Sequence, residues 1–281
     1  MTDAHCHPWN LLEYLPAAEK ERIETGTAAA ASSWNREQFE YHEGLARKAN
    51  ETGAARLFCC FALHPQLSAD GDFSVSPGLE LLQTLGAQRR LDAVGETGFD
   101  LYDEKYRAAE KIQDEMFICH LEAALAFGLP LVLHVRRAMH KIFPFAKELK
   151  KLPSVVFHSW PGTKGEGEAI LRRGINAFFS FGTVVAKNHR EAMACAAAFP
   201  KDRILLETDA PYQPLRGKTF SSWCDLDTVC SCIAGLRKEA GSPCFLPEEL
   251  QDVTTKNFFR VFGGKACKGI FWQYSNTEKQ K

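Results

Sequence analysis

The sequence begins Met1-Thr2-Asp3-Ala4-His5-Cys6-His7, a short run that turns polar and ends in His-x-His. In an extended strand, residues i and i+2 face the same way, so His5 and His7 present two imidazoles side by side. Neutral imidazole is the commonest metal ligand among side chains, and a pair at this spacing supplies half of a coordination shell. Two nearby histidines occur in many chains, so the reading depends on whether further donors arrive at the ends of other strands.

They do. His134 lies in residues 130–135 (PLVLHV), and His158 ends residues 154–158 (SVVFH). Glu96 follows 91–95 (LDAVG), and Asp209 follows 203–208 (RILLET). A polar group at the end of a buried apolar run costs several kcal/mol if nothing meets it, and a lone carboxylate there needs a cation. Four histidines and two carboxylates drawn to one place would meet that need around metal. Six donors exceed the three protein ligands of a typical catalytic zinc site and suit two divalent ions bridged by one carboxylate. His64, in Leu63-His64-Pro65, is placed to touch a substrate or to orient a ligand.

Such donors need a scaffold that brings strand ends together, and the chain alternates strand-like with helix-like segments. Strands are expected at the N-terminus and over 27–34, 56–63, 91–95, 130–135, 154–158, 176–181 and 203–208. Helical patterns lie between them, over 16–25, 36–53 (closing on Gly53), 78–90, 104–127, 138–151, 164–173 and 187–198, with a last one over 248–262. The strands are short and nearly all apolar, as when both faces of a parallel sheet are covered. No Gly-x-Gly-x-x-Gly follows the first strand, which leaves a dinucleotide-binding sheet without support. The pattern predicts a single-domain (β/α)8 TIM-type barrel over residues 1–264, with 265–281 as a polar tail that frays. In such barrels the active site lies at the C-terminal ends of the strands, where the candidate ligands fall.

Composition sets outer bounds. The 281 residues carry a net charge of −1, so no global basic field holds nucleic acid, although a local basic patch is compatible with that balance. Ten cysteines stand without a regular framework, and Cys230-x-Cys232 has the wrong spacing for a zinc knuckle and reads as helix surface. With the first strand starting at about Met1, a cytoplasmic protein with reduced thiols and no leader is the expectation. No apolar run approaches the ~18 residues that would span a bilayer, and no obligate protein partner is implied.

Taken together, Asp3-x-His5-x-His7, Gly95-Glu96-x-Gly98-x-Asp100, Leu129-Pro130…His134-x-Arg136, His158…Gly162 and Glu207-Thr208-Asp209-Ala210-Pro211-Tyr212 resemble the TatD family of metal-dependent nucleases, within the amidohydrolase-like barrels. The resemblance runs from residue 1 to about 263. It implies a (β/α)8 barrel with one or two divalent ions that cleaves phosphodiesters, typically in DNA. Position by position, it implies that His5, His7 and Asp209 hold one ion, that His134 and His158 hold the other, and that Glu96 bridges. The donor types admit zinc, magnesium, manganese, nickel or iron.

The chain departs from the family pattern on loops. His-Ser-Arg-Asp, usual after the fifth strand, is here His134-Val135-Arg136-Arg137, and Cys-Phe-Ser-Gly after the sixth-strand histidine is Ser159-Trp160-Pro161-Gly162. The usual Asn-x-Pro after the eighth strand is replaced by residues 218–223 (KTFSSW). All ligand positions survive.

A metal pair activates water and polarises the oxygen of the bond under attack, with Asp209 as general base and Glu96 supporting both ions. Arg136, Lys187, His189 and Arg190 are candidates to hold a phosphate, and Trp160 or Trp223 would serve as a stacking aromatic. The substrate expected is DNA, single-stranded or frayed and cut from an end. The alternative is an amide or ester substrate of the amidohydrolase type, because the same centre serves either.

Overall fold

Eight short strands follow one another in a single parallel sheet whose order is the order of the chain, β1 to β8. They are Thr2–Cys6, Ala28–Ser33, Leu57–Phe61, Ala93–Asp100, Leu131–Arg136, Val155–Phe157, Ala177–Phe181 and Ile204–Leu206. The computed structural model describes residues 1–52, 55–71 and 73–264. The expected cap at Gly53 and the tail 265–281 lie outside the described residues. Where β8 meets β1 the main chain closes the ring: the Asp209 amide donates to the His5 carbonyl at 2.9 Å, and the His7 amide to the Ala210 carbonyl at 2.7 Å. The barrel predicted from the sequence is therefore the fold.

Period-2 alternation sorts the strand residues into two layers. Ala4, Ala28, Ala30, Phe58, Cys60, Ala93, Val132, Val156, Phe178 and Leu205 form one cluster, joined by Phe258 and Phe262 of the C-terminal helix Pro247–Phe262. Their neighbours along the strands, such as Leu57, Cys59, Val94, Leu131 and Leu133, face the surrounding helices in the larger cluster. On β5 the inward side of Val132 is also that of His134 and Arg136, which leads straight to the mouth of the barrel.

Two strands break the alternation, and both breaks serve the centre. By strict alternation from Ala4, His5 and His7 would point outward. The register of β1 on β2 shifts between Asp3 and Cys6, so Cys6 joins the outer layer and the histidines turn in. On β4 the register on β5 shifts between Val94 and Thr97, which turns Glu96 inward and sends Thr97 out. Bulges of this kind re-aim a side chain within a strand. Gly98 permits the close approach: its φ is +135°, and a Cβ there would lie 2.1 Å from the His134 carbonyl oxygen. β4 accordingly continues to Asp100 rather than ending at Gly95 as expected.

The helices differ from expectation in several places, and the one expected over 104–127 is divided into Glu104–Ala108 and Glu110–Phe127. Pro144 has no N–H to give, and residues 139–149 form three short turns, Met139–Ile142, Phe143–Phe145 and Ala146–Leu149, instead of one helix. The helix expected from Lys187 starts at Arg190, after a 3-10 turn over Thr183–Lys187. A full helix, Leu226–Glu239, extends well beyond Cys230-x-Cys232, the part of this stretch that the sequence reads as helix surface. Its Cys230 is buried rather than at the surface. Among the described residues no helix is long and apolar enough to cross a membrane.

Two buried histidines outside the centre lock loops to the barrel. His120 accepts the Leu63 amide on Nε2 at 3.1 Å, and its Nδ1 meets the Thr97 hydroxyl at 2.7 Å. His42 accepts the Trp9 amide on Nε2 and meets the Ser33 hydroxyl through Nδ1. Protonation would set an N–H against the amide donor in each, and burial holds each pKa down at about 3. Because the folded value lies below the unfolded 6.5, this stabilisation is complete above pH 6.5 and is lost as pH falls toward 3. At pH 4.5 each histidine removes roughly 2–3 kcal/mol. His120→Gln keeps an acceptor and a donor but cannot charge, so denaturant titrations should show its stability falling less than wild type between pH 7 and 4.5. Equal falls would rule the histidine out as the cause.

Candidate metal centre

Every sequence-predicted ligand meets at the C-terminal mouth of the barrel. Glu96 is the hub. Its Oε1 lies 2.7 Å from His134 Nδ1, 2.8 Å from His158 Nε2 and 3.3 Å from His64 Nε2. Its Oε2 lies 3.1 Å from His5 Nε2 and 3.6 Å from His7 Nε2. Asp209 Oδ1 closes the near side, 3.5 Å from His7 Nε2 and 3.8 Å from His5 Nε2. These atoms fall into overlapping triads: His5, His7 and Glu96; His5, His158 and Asp209; His64, Glu96 and His134. His64 thus belongs to the cluster itself, closer in than its place within Leu63-His64-Pro65 suggested.

The ring nitrogens are crowded in a way that hydrogen bonds alone do not explain. His5 Nε2 and His7 Nε2 stand 3.1 Å apart, and His134 Nδ1 lies within 3.3–3.4 Å of both His158 Nε2 and His64 Nε2. Lone pairs aimed at common points, with two ionised carboxylates among them, are the donor set that a divalent cation neutralises. The residues present therefore fit metal.

The carboxylates are held ready to receive charge. Burial opposes the ionisation of Glu96, yet the imidazoles of His64, His158 and His5 and the bond from His134 keep it well below the ordinary carboxylate range. Burial likewise opposes Asp209, and the His7 hydrogen bond with the charges of His158 and His5 brings it down. Burial pushes His5 and His64 down. For His134 and His158 burial is outweighed, by Asp100 and Glu96 in the first case and by Glu96 and Glu207 in the second, and both are raised.

Behind the donors stands a second set of groups for which spacing alone indicates no role. Asp100 Oδ2 lies 3.1 Å from His134 Nε2 and accepts from Gln66 Nε2 at 2.7 Å. His134 is thereby fixed with Nδ1 toward Glu96, a carboxylate–imidazole pair of the kind that orients metal-binding histidines. Glu207 Oε1 accepts the Ser159 amide at 2.7 Å and sits 3.6 Å from His158 Nδ1. Gln213 Nε2 donates to Asp209 Oδ2 at 2.7 Å. Asp3 accepts both the amide and the hydroxyl of Thr208, at 3.0 and 2.6 Å, and so ties the strand of His5 to the segment carrying Asp209. Burial drives the Asp3 pKa up to about 8 despite those bonds. Asp100 and Glu207 were present in the motif letters, but which ring each one faces depends on the fold.

The centre opens into a cavity of about 950 Å³. Its walls include Trp34, Gln66, Asp70, Tyr102, Tyr106, Arg136, Arg137, His189, Tyr212 and Gln213. Arg136 and His189 thus reach the cavity, whereas Lys187 and Arg190 do not line it. Burial lowers the Lys187 pKa, and the charge of Asp209 works the other way. The expected stacking tryptophans are corrected by the structure. Trp223 is buried and does not line the cavity; Trp160 borders the cavity but is buried, its ring packed against Phe157, Phe179 and Phe199 and not free to stack. Their rings complete the core because the apolar layer outside the barrel claims them. Besides the half-buried Trp34, the aromatic faces at the mouth are tyrosines, with Tyr212 and Tyr102 both substantially exposed.

A barrel whose strand ends converge on buried imidazoles and carboxylates has the architecture of a metal-dependent hydrolase. Comparison with known proteins places it further. The chain belongs to the TatD related DNase family, whose model matches residues 2–263. It is 27% identical to an uncharacterized metal-dependent hydrolase TatD of Mycobacterium tuberculosis, over 94% of this chain and 98% of that protein. It is 32% identical to a 3'-5' ssDNA/RNA exonuclease TatD of Cronobacter turicensis, over 61% of this chain and 60% of that protein. Among solved structures it resembles YjjV, a TatD homolog from Escherichia coli, with a TM-score of 0.77 at 23% identity over 94% of this chain and 98% of that one. The protein is a metal-dependent hydrolase of this family.

Proposed function

We propose that the protein is a nuclease that cleaves phosphodiester bonds of DNA, acting on single strands or frayed ends. The observation that carries this reading is one cavity with metal donors on its floor and the Arg136 guanidinium in its wall. A flexible strand can lower a phosphate onto such a floor, whereas a rigid duplex meets the rim. The printed name of the Cronobacter turicensis relative, a single-strand exonuclease, supports the same substrate class.

In this reading His5, His7 and Asp209 would hold one ion and His134 and His158 the other, with the Glu96 carboxylate shared between the two sets. His64 is near enough to Glu96 and His134 to serve beside the second set or to meet the substrate. Two divalent ions, when bound, bring the pKa of water toward neutrality and polarise the phosphoryl oxygen. The chain's own groups do the rest. Asp209 takes the nucleophile's proton: Gln213 occupies one lone pair of Oδ2 and leaves another free, with the carboxylate plane held by that bond. Asp100 and Glu207 keep the rings of His134 and His158 in place, and Arg136 holds a phosphate of the strand from the cavity wall.

The test is an activity screen on protein stripped of metal and reloaded with Mg²⁺, Mn²⁺ or Zn²⁺. End-labelled single-stranded DNA, duplex DNA, RNA and chromogenic amides and esters are compared. Ion-dependent shortening of the single strand is expected. Acyl hydrolysis without nucleolysis, or no cleavage of DNA with any of the ions, would overturn the reading. In the same assay Arg136→Ala should raise the KM for an oligonucleotide by about tenfold and flatten its salt dependence. A fall in kcat at constant KM would place Arg136 elsewhere in the cycle.

A further inference from the structure

The wall of the cavity beside His134 carries a feature that the reaction at the metal centre does not use. Tyr102 stacks against two guanidinium groups, Arg136 with its central carbon 3.7 Å from the ring centroid and Arg137 at 4.5 Å. All three side chains line the cavity and are exposed. Neither arginine has a salt-bridge partner among the described residues. The acids of the wall, Asp70, Glu96 and Asp209, form no ion pair with either arginine among the described residues. Two stacked cations without a counter-charge form a receptor for an anion. Guanidinium held against an aromatic face keeps its N–H fork free for a phosphate.

The stack is rigidly tied to the metal centre. Asp100 accepts the Tyr102 amide on Oδ1 at 2.9 Å while its Oδ2 faces His134 Nε2. Arg107 donates to the carbonyls of Tyr102 and Leu101, at 2.8 and 3.2 Å, and the Leu101 amide donates to the Arg136 carbonyl. Arg136 stands two strand residues beyond His134, roughly 6.6 Å along β5, a step comparable to that between successive phosphates of an extended strand. Arg137 follows in the left-handed region, at a φ of 56°, a conformation that costs a non-glycine residue energy. It brings a second guanidinium onto the same ring where the family pattern has an acid.

We infer that Arg137 and Tyr102, with Arg136, form a second phosphate subsite that receives the phosphodiester flanking the scissile one. This rests on the nuclease reading for the identity of the strand, but not for the existence of the anion site. The chain would therefore favour substrates with at least two successive charged linkages over a lone phosphodiester.

The experiment measures binding of a fluorescent single-stranded oligonucleotide by anisotropy, with Asp209→Asn as background to slow turnover. Arg137→Gln should lower the slope of log affinity against log salt by about 0.7, the value for one phosphate contact on a single strand. Tyr102→Leu should lower affinity in the same direction by unseating the guanidinium. A neutral methylphosphonate at the flanking linkage should weaken binding about tenfold when Arg137 is present, and less than twofold in Arg137→Gln. A terminal phosphate added or removed in the same series separates a terminal from an internal anion, and sensitivity to the terminal group alone overturns the flanking assignment. Equal sensitivity to the methylphosphonate in both proteins also overturns it. If the slope changes as stated but the loaded wild type cleaves no DNA, the subsite stands and the nuclease reading falls. If wild type cleaves DNA and Arg137→Gln leaves the slope unaltered, the reverse holds.

Discussion

Glu96→Gln should leave the barrel folded and abolish most of its activity, with the metal content falling below two ions per chain. Five ring nitrogens lie within 3.6 Å of the Glu96 carboxylate, three around Oε1 and two around Oε2. It reaches ring nitrogens from both halves of the donor set, His134 on one side and His5 and His7 on the other. The amide preserves size and one oxygen but removes the negative charge that two cations would share. A centre that no longer activates water at neutral pH loses about 10³-fold in turnover or more. Elemental analysis of the purified variant and steady-state rates on a single-stranded oligonucleotide check the two parts separately. Two ions retained with unchanged turnover would show that Glu96 does not bridge.

Asp209→Asn separates metal holding from proton transfer. The asparagine oxygen can replace Oδ1 toward His7 and His5, while the group that faces Gln213 becomes a donor and cannot take a proton. Turnover should drop by ~10²–10⁴ with metal largely retained. The backbone at Asp209 lies in the left-handed region, at a φ of 55°, which asparagine tolerates better than most residues, so the fold should survive. Full activity at neutral pH would sink the general-base assignment. Loss of metal together with activity would instead make Asp209 chiefly a ligand.

The donors themselves were legible because each interrupts an apolar strand at its C-terminal end. A histidine after Leu-Val-Leu or Val-Val-Phe has few inexpensive fates in a buried sheet, and six such residues in one chain point to one another. The alternation of short apolar strands with helices indicated a barrel for the same reason: both faces of each strand need covering. Those inferences use only local burial and period.

What spacing could not supply was orientation. The inward turn of His5, His7 and Glu96 depends on register shifts in β1 and β4, and a one-residue shift reverses every side chain after it. Nothing in the residue types around Val94–Thr97 states that the strand slips there rather than ending. The same limit applies to Asp100, Glu207 and Gln213, whose partners lie far along the chain or across the barrel mouth. Trp160 and Trp223 illustrate the opposite error, since a large aromatic in a loop sequence can as well fill the core as face the substrate.

The sequence by itself determined the barrel, the six candidate donors and, through its combined motifs, the resemblance to the family, because strand periodicity and the chemistry of buried polar groups act over a few residues. Only the tertiary structure decided that His64 joins the cluster, that Asp100 and Glu207 stand behind the rings, and that Arg136 and Arg137 share the face of Tyr102. Those relations are set by register, bulges and packing between distant segments, and their energies exist only once the barrel has closed.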